Sequence, residues 1–194
     1  IASSKFTAKH IYDIYKIKSE VIYLGANNIF FKNNLTGKSN AILCLGDIKA
    51  RHALFLIETA YRLSKKRNDF EIWIAGDKDA HGKELKELVR KLGISKIIKF
   101  YGKVSDEKLA SLYSNALVFT HLVKDAPFGM QVTEAMASGT AVISWKPGGP
   151  EESITHKETG FLISQFNHDE LIKHIESFLD DPKLSLDMGK KAKL

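Results

Sequence analysis

With 194 residues, 44% apolar and 27% charged, the chain can bury a core of its own and has the composition of an ordinary globular protein. Its net charge of +6 would suit an anionic ligand or a membrane surface, but basic residues stand beside acids (Lys83-Glu84, Lys86-Glu87) rather than interleaved with aromatics, which argues against nucleic acid. A single cysteine, Cys44, excludes a disulfide framework or a cysteine metal cluster, and with neither a signal-peptide core nor an apolar run of about eighteen residues the chain reads as cytoplasmic.

Residues 4–16 pattern as a helix with Phe6, Ile11, Ile14 and Tyr15 on its apolar face, and 21–24 as a short strand ending at Gly25. Residues 26–40, rich in Asn, Lys and Gly, read as a linker. Within it Gly37-Lys38-Ser39 has the ending of a phosphate-binding P-loop, but Lys32 stands where the earlier glycine belongs and no strand precedes it. From residue 41 onward strands are expected at 41–45, 71–75, 97–101, 117–122, 141–145 and 160–163. Helices are expected between them at 53–66, 82–92, 106–115, 131–137 and 150–155, with another at 168–179. Ser105 is a suitable N-cap, and Gly93 and Gly139 are suitable stops. Cys44, inside an apolar strand pattern, reads as a buried, inert thiol. The chain starts without Met and stops in a polar, helix-like run at 188–194, so a fragment of a longer protein is expected.

This alternation predicts a doubly wound, Rossmann-like α/β domain over 41–194: a parallel sheet of six strands with helices on both faces. Residues 1–40 form a separate helix, short strand and linker of interdomain type. In such sheets ligands lie beyond the carboxyl ends of the strands. Gly46 to Lys49, Gly76-Asp77, Gly102 to Val104 and Asp125 to Gln131 should therefore border one cleft.

Several chemistries are absent from the motifs. There is no G-x-G-x-x-G after the first strand, no H-E-x-x-H among the seven histidines, and no G-x-S-x-G elbow. Pro127-Phe128-Gly129 would bring backbone close to a ligand, and the helix that follows would aim unpaired N–H groups at it, an arrangement suited to a diphosphate. Glu134, expected in that helix's first turn, could accept both hydroxyls of a ribose. Taken alone, the same residues are met by an ordinary strand-to-helix turn and by a glutamate stabilising a helix N-terminus, and composition favours that plainer account.

An ordered set of motifs changes the weighting. Phe128-Gly129, the run Glu134 to Thr140, Val142-Ile143, Gly148-Gly149-Pro150-Glu151 and Thr159-Gly160-Phe161-Leu162 follow one another at set distances. With the entry from Ser3 to Gly25 and the run from Val104 to Tyr113, this set resembles the C-terminal, nucleotide-sugar-binding domain of the group 1 (family 4-like) retaining glycosyltransferases of GT-B fold. The resemblance implies sugar transfer from a nucleotide-diphosphate sugar with retention of configuration, without a cofactor or metal. It implies Glu134 at the donor ribose, Phe128, Gly129, Met130 and Gln131 against the donor sugar and diphosphate, Lys103 and Val104 beside the nucleobase, and Gly46 in the first turn.

Three positions depart from the family pattern. Ala126 stands where a glutamate is expected, with Asp125 adjacent as a substitute. Asp47 and His52 stand where an arginine and a lysine are expected, leaving Lys49 and Arg51 as candidate replacements. The expected protein is a larger two-domain hexosyl- or glycosyltransferase whose acceptor half is supplied by an N-terminal domain, the isolated chain being inactive. A lipid acceptor would bring it to a membrane surface. The alternatives are a non-catalytic nucleotide-binding or interaction module of the same fold and, more distantly, a sugar-nucleotide epimerase.

Overall fold

The computed structural model describes residues 1–32, 37–46, 52–76 and 81–193, His81 by its backbone alone. Six strands form the sheet: β1 (Ser39–Leu45), β2 (Glu71–Ala75), β3 (Ile98–Gly102), β4 (Ala116–His121), β5 (Ala141–Lys146) and β6 (Gly160–Ser164). The helices are α1 (Lys5–Tyr15), α2 (His52–Leu63), α3 (His81–Lys91), α4 (Asp106–Asn115), α5 (Met130–Ala137), α6 (His168–Asp180) and α7 (Pro182–Ala192), with 3-10 turns at Asn28–Phe31 and Gly149–Glu152. All neighbouring strands are parallel, in the order β3-β2-β1-β4-β5-β6. This is the doubly wound order with its switch point between β1 and β4.

The inner strands are largely apolar because both their faces are covered, β4 being buried at every position, whereas the edge strand β3 keeps Lys99 exposed. Along β1, Ile42 and Cys44 face a core shared with α2, α3 and α6, while Ala41 and Leu43 face one shared with α4 and α5. Local signals set the helix starts: Ser105 accepts from Lys108 N at 3.3 Å, and Asn167 accepts from Glu170 N at 3.0 Å. Gly93 and Gly139, both at φ 72°, end α3 and α5 as expected.

Several expectations are corrected. Residues 21–24 form no strand: Val21 makes one bridge to Ala2, the single residue offered as a partner, and Ile22, Tyr23 and Leu24 stay exposed. The expected linker at 26–40 contains the 3-10 turn whose Phe30 is buried edge-on against Tyr113, 5.9 Å between ring centres. The helix expected at 150–155 is only the turn Gly149–Glu152. The apolar face read on α1 is only half covered: Phe6 and Ile11 are partly buried, while Ile14 and Tyr15 stay exposed.

In place of the helix-like run expected at 188–194, α7 begins at Pro182, with Asp181 accepting from Lys183 N at 3.1 Å. Its inner face mixes Leu184 and Met188, which pack on the core, with the small Ser185 and Gly189, which weakens its hydrophobic periodicity. The buried Ser185 hydroxyl donates to the Leu117 carbonyl, and Gly189 lies against the Gly139 carbonyl, where a Cβ would come within 2.2 Å. Near them Lys38 runs into the amino end of the sheet, its ammonium 2.9 Å from Ala116 O, 3.2 Å from Thr140 Oγ1 and 3.4 Å from Ser114 O. Burial lowers its pKa to about 8. The lysine of the rejected P-loop motif is thus a tie between elements at the sheet's amino end.

Candidate functional site

At the switch point the carboxyl ends of β1, β2 and β3 and the start of α5 enclose a cavity of about 300 Å³. Gly46, Gly76, Lys103, Val104, Leu109 and Gln131 line it, with Leu45 and Ala75 beneath. Four residues singled out in the sequence, Gly46, Lys103, Val104 and Gln131, therefore meet in one place. The floor depends on glycine. Gly76 sits at φ 147°, and a Cβ there would lie 1.8 Å from the Gly46 carbonyl oxygen. Only a residue without a side chain lets these two turns close.

The wall on the β4 side is the first turn of α5. Gly129, at φ 90° and ψ 60°, precedes the helix, and Val132 N donates back to its carbonyl at 2.8 Å. The free amides of that turn and the helix dipole favour a negative group at this end. Met130 is partly exposed and Gln131 exposed, whereas Phe128 points into the protein, 5% exposed, so only its backbone faces outward.

Beneath the turn lies His121, the last residue of β4 and 4% exposed, its Nδ1 3.3 Å from Ser144 Oγ. Burial lowers its pKa to about 4, with the charge of nearby His52 acting the same way and a hydrogen bond with the Gln131 side chain opposing it. His121 is therefore neutral at pH 7. A polar residue closing an otherwise apolar strand was the sequence signal for it.

Glu134 is corrected in position: α5 starts at Met130, so Glu134 lies in the second turn, and stabilisation of a helix N-terminus does not account for it. It shares a helix face with Gln131, three residues earlier. The fully buried Tyr113 of α4 donates its hydroxyl to Glu134 Oε2 at 3.2 Å, the one hydrogen bond to this side chain among the described residues. Burial raises the Glu134 pKa, the Tyr113 hydrogen bond pulls it down, and the Asp106 charge raises it. In the sequence Tyr113 entered only as the end of the motif run that begins at Val104.

The residues around 125 do not join this cavity. Asp125, at φ 51°, is exposed and accepts from Gln165 Nε2 at 3.4 Å. It thus lies toward β6, where Lys146, Pro147, Glu151, Ser164 and Gln165 line a separate cleft of about 270 Å³. Ala126 is buried, 3% exposed. Lys49 and Arg51, with Asp47 and Asp77, lie outside the described residues. Among the described residues no group of three His, Cys, Asp or Glu is placed to hold a metal ion, and no helix is long and apolar enough to cross a membrane.

Residues 25–194 match the family model of the group 1 glycosyl transferases. An uncharacterised glycosyltransferase from Haemophilus influenzae is 26% identical over 183 residues, which cover 93% of this chain and 51% of that protein. Sucrose-phosphate synthase from Thermosynechococcus elongatus superposes with a TM-score of 0.85 at 24% identity, over 99% of this chain and 51% of that one. Anabaena HepE, solved in complex with UDP and glucose, superposes with a TM-score of 0.82 at 20% identity, over 99% of this chain and 57% of that one. The chain thus spans about half the length of these proteins, and the two structures share its fold. Because the family match takes in nearly all of the chain, from the 3-10 turn at Asn28–Phe31 to α7, the chain belongs to the group 1 glycosyltransferases.

Proposed function

We propose that this chain is the donor-binding half of a retaining glycosyltransferase, taking a nucleoside-diphosphate sugar without a metal. The carrying observation is the cavity of about 300 Å³ at the switch point, where Gly46, Lys103, Val104 and Gln131 converge. In doubly wound sheets that crevice is the usual nucleotide position, and a fold relative was solved with UDP and glucose. The base lies beside Lys103 and Val104, the ribose hydroxyls bond the Glu134 carboxylate, and the diphosphate meets the amides of Gly129, Met130 and Gln131. Negative charge that develops on the leaving diphosphate is stabilised there by preorganised N–H groups. The chain holds the donor in place and provides no covalent nucleophile; the diphosphate itself assists departure and same-face attack. The acceptor, and groups that face the reacting carbon, come from the other half of the protein.

Calorimetric titration with UDP, GDP and ADP tests this reading. One nucleotide should saturate, and Glu134→Ala should weaken it about ten- to hundredfold, the effect of losing a charged hydrogen bond worth about 1.5–3 kcal/mol. An unchanged dissociation constant overturns the ribose assignment. Buried Ala126, at the position where the resemblance expects a sugar-binding carboxylate, favours a second reading as a non-catalytic nucleotide-binding module. That reading gains if the sugar conjugate binds no more tightly than the bare nucleotide.

A further inference from the structure

Residues 1–24 precede the family match, yet they grip the turn that leads into α5. Helix α1 has no residue in the buried core, and its Phe6 and Ile11 are only partly covered. Its attachments are polar and gathered at its first turn. The buried Ser4 caps the helix by accepting from Thr7 N at 2.9 Å, and its hydroxyl donates to the Pro127 carbonyl. Thr7 Oγ1 donates to the same oxygen at 3.1 Å. Glu152 accepts from the Lys5 and Phe6 amides at 2.9 and 2.8 Å and from the Tyr23 hydroxyl at 2.8 Å. It thereby satisfies two of the four amides that a helix start leaves free. The Tyr23 ring sits 6.3 Å from that of Phe128.

The same turn is held from its other side. Gly149 N donates to Ala126 O at 2.8 Å, and a Cβ on Gly149 would lie 2.4 Å from Pro127 O and 2.5 Å from Phe128 Cα. Residues 126–128 are therefore clamped between the Gly148-Gly149 turn and the N-terminal segment. The next residue, Gly129, opens α5.

We propose that Ser4, Thr7 and Glu152 are positioning residues for the nucleoside diphosphate: by fixing the 126–129 turn they aim the first amides of α5, so displacement of the N-terminal segment lowers affinity for the ligand. The role rests on the donor-site reading above. Because no residue of α1 is fully buried and Ile14 and Tyr15 stay mostly exposed, cutting these ties should loosen the turn at little cost to overall stability.

The test uses the 194-residue chain with Ser4→Ala and Thr7→Val combined, Thr7→Ser as the conservative control, and Glu152→Gln as an independent release. In the double variant, amide hydrogen exchange across residues 128–131 should quicken about tenfold, the effect of losing a hydrogen bond or two. The dissociation constant for the nucleotide that binds the native chain should rise about three- to tenfold. The urea midpoint should scarcely move, Thr7→Ser should behave as the native chain, and Glu152→Gln should show the same changes more weakly. Unaltered exchange overturns the clamp, and faster exchange with unaltered affinity overturns the positioning role. A native chain that binds none of UDP, GDP or ADP overturns the donor-site reading, and with it the role given to these residues, whatever the exchange rates.

Discussion

The two ends of the sheet hold cavities of opposite character. At the amino ends of β1, β2 and β3 lies a cleft of about 700 Å³, lined by Asn40, Asp69, Glu71, Trp73 and Lys99 among others. Its polar groups answer one another: Glu71 accepts from Trp73 Nε1 at 2.8 Å and pairs with Lys99 at 2.7 Å, while Asn40 donates to Asp69 O at 3.0 Å. At the carboxyl ends the cavity is less than half that size, about 300 Å³, and the start of α5 beside it has no side-chain cap among the described residues. Volume alone therefore points to the end opposite the proposed donor site. What marks the candidate site is the start of α5, without a side-chain cap among the described residues, at the strand ends where a doubly wound sheet places ligands.

Three substitutions probe this contrast. Gly76→Ala places a Cβ on the Gly46 carbonyl at a φ that L residues rarely adopt. It should lower the unfolding free energy in urea by about 3 kcal/mol or more and abolish nucleotide binding. Lys38→Met tests the tie at the amino end. In the folded chain the Lys38 ammonium titrates at about 8, against 10.5 for the free side chain. Between these values the unfolded chain holds more protons, so stability due to Lys38 rises with pH. The native chain should gain on Lys38→Met by up to about 1.4 kcal/mol per pH unit within that window and by nothing below it, as read from urea midpoints. The smallest effect is expected for Glu71→Gln in the larger cleft. That pair is half exposed, with side-chain exposures of 36% and 50%, so the loss should stay below about 1 kcal/mol with nucleotide affinity unchanged.

How legible the molecule was depended on whether a feature was local. The inner strands could be read because most of their residues are buried on both faces and form short apolar runs; β2 and α4 fall where the sequence places them. The convergence of Gly46, Lys103, Val104 and Gln131 follows from topology, since each ends a strand or starts the helix after one. The pairing of Tyr113 with Glu134 could not be read, because it depends on how α4 crosses α5. The contact of Asp125 with Gln165 could not be read for a similar reason: it depends on a left-handed backbone that no spacing along the chain reveals. Only the end of α7 could be read, as the helix-like run at 188–194; its start at Pro182 could not, because Ser185 and Gly189 share its inner face with Leu184 and Met188.

The most direct test of the central claim is a map of amide chemical-shift changes on titrating the chain with UDP, and then with GDP and ADP. The account predicts saturable changes at Gly46, Gly76, Lys103, Val104 and Gly129 to Gln131, with Glu71, Trp73 and Lys99 silent. Changes centred on the amino-end cleft, or none with any of the three nucleotides at millimolar concentration, would contradict it.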